Sequence, residues 1–166
     1  LPRPDVLRKN GEISMSSQTL NDLTLDDHKA AFTEVAFLTD IFAATIDNIM
    51  GGATSSVGRM AGRDTARKYP VFLENPTLED AVSVVTQRKK AGFGITLETE
   101  GDDMFMVFDR CIIRDICRQR NLDMGQALCR LFHFYLDGVV DELINRPVKS
   151  DIDRCGETCR TRVRIQ

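Results

Sequence analysis

One segment, from about residue 24 to residue 50, carries a helical pattern that is apolar around most of its circumference. Asp26 and Asp27 lie in its first turn, where the helix dipole favours acidic side chains, and Gly51-Gly52 ends it. Polar residues form only a narrow stripe, because Thr33, Asp40 and Asp47 recur every seven residues.

A helix that is apolar on most sides is buried on most sides. Large apolar residues cover the rest of this helix: Phe32, Val35, Phe37, Leu38, Ile41, Phe42, Ile46, Ile49 and Met50. In a chain of 166 residues, three arrangements bury such a helix. It is a central core helix, part of a dimer interface, or the wall of an internal cavity.

Composition narrows the class of protein without naming a function. Hydrophobic residues make up 42% and charged residues 28%, as in an ordinary globular domain. A net charge of -3 argues against direct nucleic-acid binding, which usually requires a basic domain. No apolar run approaches the roughly 18 residues of a membrane span, and no secretory leader is visible. We therefore expect a cytoplasmic protein.

The remaining pattern predicts helices, a hairpin, a long helix and final strands, in that order. Helices are expected over about 54–68, 78–91 and 123–144, a short helix within 110–120, and strands over 93–98, 104–109, 148–152 and 159–165. This order indicates an α+β fold, with a small antiparallel sheet packed against several helices. The long amphipathic helix precedes the final strands. Residues 1–23 are predicted to be a flexible N-terminal arm, and residues 24–166 a single domain.

The second helix has two notable faces. Gly58, Gly62 and Ala66 form a stripe of small residues that would let another helix approach closely. Arg59, Arg63 and Arg67 follow the same spacing on an adjacent face. These arginines are either a solvated basic stripe or contacts to an acidic ligand.

Two pairs of residues have spacings that suit metal binding. Cys129 and His133 lie one helical turn apart, and Cys155 and Cys159 flank a turn that contains Gly156. Four thiolate or imidazole ligands suit tetrahedral zinc, which would then be structural. Asp151, Asp153, Glu157 and Cys111 are alternative ligands. Buried thiols that act as small hydrophobic side chains, or a redox-responsive pair, explain the same residues.

Catalytic motifs are weak in this sequence. His28 and His133 are its only histidines, and the glycines match no phosphate-binding loop. Asp102 and Asp103 fit a hairpin loop better than a catalytic pair of carboxylates. No catalytic residue is predicted.

The C-terminal third resembles the 4-vinyl reductase domain family. The resemblance lies in the segment from Cys129 to Gly138, the Cys155-Gly-Glu-Thr-Cys159 turn and the alternating final strand, with Gly62-Arg63 as a weaker match upstream. The resemblance implies an α+β fold that is often dimeric. Relatives include sensory domains of aromatic-responsive regulators, which have a zinc site beside a pocket for small hydrophobic molecules, and subunits of vesicle-tethering complexes.

Carried over by position, Cys129, Cys155 and Cys159 would supply thiolate ligands. The family's acidic ligand falls on Ile152, and the spacing of the final cysteines is shorter here. The fourth ligand is therefore open, and His133 is the choice from spacing.

These observations lead to a prediction of function. We expect a homodimeric module that binds or senses a small hydrophobic molecule and carries structural zinc on Cys129, His133, Cys155 and Cys159. The side chains predicted to line its cavity are Phe42, Ile46, Phe93, Phe108, Phe132 and Tyr135. The alternatives are an enzyme acting on a small substrate, as a vinyl reductase or hydrolase, and a dimeric interaction subunit without a ligand.

Overall fold

The structure, a computed structural model, describes residues 24–166. The predicted N-terminal arm, residues 1–23, lies outside the described residues. The described part contains the helices α1 (Leu25–Met50), α2 (Thr54–Ala66), α3 (Leu78–Lys89), α4 (Ile112–Arg120) and α5 (Ala127–Ile144), and the strands β1 (Phe93–Glu100), β2 (Asp103–Cys111), β3 (Val148–Arg154) and β4 (Cys159–Ile165). The predicted α+β class is confirmed.

Local signals explain most of the helix ends. Thr24 caps α1 and Thr77 caps α3, and in each case the aspartate three residues later completes a capping box. The long helix α5 begins at Ala127 and not near residue 123. Gly125 has a φ of 80°, which interrupts a right-handed helix at that point.

The four strands form one antiparallel sheet in the order β1-β2-β4-β3. The predicted hairpin is β1–β2, and the last two strands pair with each other as expected. Cys159, Thr161 and Val163 are buried on the inner face of β4, whereas its arginines lie on the outer face.

The central helix is α5, which packs between the sheet and α2. Leu136, Val139 and Val140 are almost fully buried there, together with Phe108 of β2. The small-residue stripe of α2 lies directly against α5, where Gly62 and Gly138 allow close backbone contact. This confirms the close helix packing that the stripe predicts.

Helix α1 lies on the outside of the domain and is not its central helix. Only Thr33, Ala36 and Ala43 of its 26 residues are buried. Its polar stripe faces the domain, since Asp40 accepts a hydrogen bond from the Leu128 backbone N–H at 3.0 Å. Asp47 accepts another from the Thr54 N–H at 3.3 Å.

Candidate functional site

An apolar cavity of about 330 Å³ lies between α2 and α5. Its walls come from four helices and are formed by Thr39, Val57, Gly58, Ala61, Ile113, Leu128, Leu131, Phe132 and Tyr135. Helix α5 supplies one wall because Leu128, Leu131 and Tyr135 recur at helical spacing on one side. The volume is at the lower end of the roughly 300–1,000 Å³ range of small-molecule sites.

Hydroxyl groups are the only side-chain polar groups in this lining. The Tyr135 hydroxyl accepts a hydrogen bond from Lys89 Nζ at 3.0 Å. The Thr39 hydroxyl donates to the carbonyl of Val35 on its own helix at 2.8 Å. Both hydroxyls are bound within the protein and no polar atom is exposed in the cavity, which suits a small hydrophobic molecule.

A second, more open cavity of about 480 Å³ lies at the start of α1. It is lined by His28, Lys29, Phe32, Lys89, Ala91, Gly92, Phe93 and Ile112. The ring of Phe93 stacks on Phe132 with centroids 4.4 Å apart, so this aromatic pair stands between the two cavities.

The structure places the six residues that are predicted to line the cavity in different surroundings. Phe132 and Tyr135 line the α2–α5 cavity, and Phe93 lines the second cavity. Phe108 is fully buried in the core. On α1, Phe42 is 58% exposed and Ile46 is half-buried, and neither lines these two cavities.

Sequence reasoning did not assign Val57, Gly58 and Ala61 to the cavity. All three belong to α2, whose stripe of small residues predicts a close helix neighbour. Gly58 packs directly on α5, since a Cβ there would lie 2.8 Å from Cβ of Phe134, and Val57 and Ala61 lie beside the stripe, so no signal in the sequence identifies this wall.

The five cysteines form a second feature of the fold. All five are free thiols. The Cys117 thiol of α4 donates a hydrogen bond to the Cys129 sulfur in the first turn of α5. Cys155 hydrogen-bonds with Cys159, and its sulfur also lies beside Gly125. The fold therefore gathers thiols that are far apart in sequence.

These contacts separate the pKa values of the thiols. The hydrogen bond from Cys117 lowers the pKa of Cys129 to about 7, and the Gly125 backbone contributes in the same direction. The same bond raises the pKa of Cys117, because that thiol keeps its proton as the donor. Burial is the main cause that raises the pKa of Cys111 and of Cys155 to about 11.

His133 is buried among aromatic rings. Its ring packs edge-on against Phe108, with centroids 5.3 Å apart, and Nδ1 has no hydrogen-bond partner among residues 24–166. Burial lowers the pKa of His133 to about 4, so the imidazole is neutral at pH 7. A neutral imidazole with a free nitrogen keeps the ability to bind a metal ion or a polar ligand atom.

The predicted zinc ligands are not assembled into a metal site in this conformation. Within residues 24–166, no group of three or more His, Cys, Asp or Glu side chains is arranged to hold a metal ion. The charges of Cys159, Cys129 and Cys111 nevertheless affect the pKa of Cys155, which places these four thiols in one neighbourhood.

The arginines of α2 contact carboxylates of this chain. Arg59 Nη2 lies 2.7 Å from Asp137 Oδ2, and Arg63 Nη2 lies 2.7 Å from Asp141 Oδ2. Arg67 contacts Glu142 at 3.0 Å. Neither a solvated stripe nor an acidic ligand is needed to explain them, because they join α2 to α5.

Comparisons with known proteins identify no family for this chain. No family model matches it, and no curated protein matches it. Among solved structures, it is similar to the phenol-responsive sensory domain of the transcription activator PoxR with phenol. The identity is 15% over 77% of this chain and 72% of that chain, with a TM-score of 0.49. A likeness at this level concerns the fold alone.

Between residues 24 and 166, no helix has the length and apolar character needed to cross a membrane.

Proposed function

We propose that this protein is a binding module for a small hydrophobic molecule, which occupies the α2–α5 cavity. The observation that carries the proposal is the lining of that cavity, which is apolar apart from two hydroxyl groups. Two hydroxyls bound within the protein supply neither a nucleophile with its base nor a cluster of titrating groups, which an active site requires. This supports binding over catalysis.

Filling the cavity tests this proposal. Ala61 lies at the exposed rim of the cavity, so an Ala61→Phe side chain can enter it without disturbing the core. We expect the wild-type chain to bind the uncharged fluorescent probe N-phenyl-1-naphthylamine saturably, at one probe per chain. We expect Ala61→Phe to weaken that binding by roughly tenfold or more, because the ring takes the place of the probe.

The control for this experiment is Ser56→Phe. Ser56 is exposed on the same helix and does not line the cavity, so the probe affinity should remain unchanged. Absence of saturable binding to the wild type, or equal affinity of Ala61→Phe, would contradict the proposed site.

We also propose that the module carries structural zinc on Cys129, Cys155, Cys159 and His133. The shared neighbourhood of the thiols and the free Nδ1 of His133 support this set, although closing the site requires its side chains to move. A site with four protein ligands would tie the β3–β4 turn to the start of α5. It would leave no open position for a substrate.

Metal analysis tests the zinc proposal. Protein purified without added zinc should contain about one zinc ion per chain, in line with a closed tetrahedral site. Cys155→Ser should lose this metal, whereas Cys117→Ser should keep it, because Cys117 is outside the proposed ligand set. Metal-free wild type with five titratable thiols would contradict zinc binding.

We further propose that the protein is cytoplasmic and a homodimer. Five free thiols are typical of a reducing compartment, which supports the first part. The exposed apolar side of α1 supports the second part.

A further inference from the structure

The outward side of α1 carries exposed apolar residues that the proposed ligand site does not use. Large apolar residues on this helix have exposed fractions between 45% and 77%: Leu25, Phe32, Val35, Leu38, Ile41, Phe42, Ile49 and Met50. The side facing the domain is the one that holds Thr33, Asp40 and Asp47. The helix thus directs its polar stripe inward and its apolar surface outward, which is the reverse of an ordinary surface helix.

A coiled-coil pattern runs along the middle of this exposed side. We call it the outer seam, and it consists of Ala31, Val35, Leu38, Phe42, Thr45 and Ile49, all of which are exposed. The spacing alternates between four and three residues, which is the 3.5-residue repeat of helices that pack side by side. The seam contains no charged side chain, so it offers nothing for a nucleic acid or an acidic partner to recognise.

We infer that α1 packs against α1 of a second copy of this chain, with the two helices antiparallel and crossing near residue 40. The inference rests on the homodimer proposed above and specifies its interface. It does not depend on the ligand cavity.

The seam complements itself when one copy is reversed. A two-fold axis near residue 40 places Phe42 opposite Leu38 of the second copy, Val35 opposite Thr45, and Ile49 opposite Ala31. At each end a larger side chain faces a smaller one, which lets the two surfaces interlock. One surface patch then serves both copies, as a two-fold interface requires. A parallel pair in register would instead place Phe42 against Phe42 and leave a gap at Ala31.

The flanks of the seam fit the same arrangement. Glu34 and Asn48 lie on the same flank of the seam. In the antiparallel pair this flank faces its equivalent, so Glu34 of one copy falls opposite Asn48 of the other and no like charges meet. In this chain Glu34 is already paired with Arg120 of α4. The arrangement therefore needs no charge to be buried alone.

The exposed area of the outer seam is also sufficient for a stable dimer. Helix α1 has 26 residues and is about 39 Å long. The six residues of the outer seam, with Ile41 beside them, present on the order of 600 Å² of exposed surface in each copy. Stable interfaces begin at about 1,200 Å² in total, or about 600 Å² from each partner.

Complementary charges provide the test, on full-length protein. Wild type should have the mass of two chains by light scattering after gel filtration. Leu38→Lys alone and Phe42→Glu alone should each raise the dimer dissociation constant by roughly tenfold or more, because each buries a lone charge. When the two variants are mixed, the antiparallel register brings the introduced lysine of one copy against the introduced glutamate of the other, and heterodimers should form.

The control is a mixture of Leu38→Glu with Phe42→Glu, which should stay monomeric because like charges meet. Leu38 and Phe42 are more than half exposed, so the variants should keep the wild-type far-ultraviolet circular dichroism spectrum. If one of them unfolds, Thr45→Lys mixed with Val35→Glu tests the same register at its next layer. A monomeric wild type, dimeric single variants, or no association of the oppositely charged pair would overturn the inference. Binding of the naphthylamine probe reports on the cavity independently, so failure of one proposal is distinguishable from failure of the other.

Discussion

Replacing Gly62 or Gly138 with alanine should destabilise the protein by about 3 kcal/mol each, because α2 and α5 meet at these two residues with almost no space between their backbones. A Cβ on Gly62 would lie 2.1 Å from the Tyr135 carbonyl oxygen. A Cβ on Gly138 would lie 2.1 Å from the Arg59 carbonyl oxygen. Both clashes are with backbone atoms, so relief requires the helices to separate.

Helix propensity acts in the opposite direction and makes the prediction sharper. Alanine favours a helix over glycine by about 1 kcal/mol, so propensity alone would make both variants more stable. The measurement is urea unfolding of each variant beside wild type. The Gly156→Ala control should change stability by less than about 0.5 kcal/mol, since the nearest atom to its Cβ is 3.8 Å away. Wild-type stability of Gly62→Ala and Gly138→Ala would contradict the close packing of α2 on α5.

Local signals in the sequence were enough to predict most elements of this fold. The caps and glycine stops gave α1 and α3 to within one or two residues, and the alternation of side chains gave the two strand pairs. The helical pattern predicts a start of α5 that is too early, because the positive φ of Gly125 depends on the loop around it. Such a backbone angle cannot be inferred from periodicity.

The orientation of α1 cannot be predicted from its sequence pattern. A helix that is apolar on most sides does not indicate which side meets its own domain. Here the choice follows from long-range hydrogen bonds, since Asp40 accepts the backbone N–H of Leu128 at the start of α5, where Gln126 provides no side-chain cap. With the polar stripe on the side of the domain, the large apolar residues of α1 lie outside it.

The candidate site was predictable only in part for the same reason. Phe132 and Tyr135 lie on the amphipathic α5, whose periodicity identifies its faces. Cys117 contacts Cys129 only because α4 runs beside the start of α5. Cys111 is the last residue of β2, and it lies near the other thiols only because of where that strand ends. Neither relation can be read from spacing along the chain.

The second large effect should appear in the pH dependence of stability, and it arises from the buried carboxyl group of Asp137. This side chain is fully buried on α5. It accepts hydrogen bonds from Ser150 Oγ at 2.6 Å, from the Ser150 N–H at 3.1 Å and from Arg59 at 2.7 Å. These bonds connect α5 to β3 and α2.

Burial raises the pKa of Asp137 to about 6 from its ordinary value of 3.8, although Ser150 and Arg59 both favour the charged form. Between these two values the folded protein binds a proton that the unfolded chain has lost. The stabilisation from this group is therefore complete below about pH 4 and is lost as the pH rises through about 6. Two pKa units correspond to about 3 kcal/mol.

The Asp137→Asn variant isolates this effect, because asparagine has nearly the same shape and does not titrate. Urea unfolding of wild type and variant from about pH 3.5 to about pH 7 gives their difference in stability at each pH, which cancels the other titrating groups. The advantage of wild type over Asp137→Asn should shrink by nearly ~3 kcal/mol between about pH 3.5 and about pH 7.

Asp80→Asn gives a control of opposite sign. Hydrogen bonds from Thr77 lower the pKa of Asp80 at the start of α3, so its contribution is present above about pH 4 and is lost as the pH falls. The stability advantage of wild type should therefore fall with rising pH when it is compared with Asp137→Asn, and rise with pH when it is compared with Asp80→Asn. An advantage at Asp137 that stayed constant or grew with pH would mean that Arg59 and Ser150 outweigh burial. The aspartate would then act as an ordinary ion-pair partner, and its junction of α2, α5 and β3 would be strongest at neutral pH.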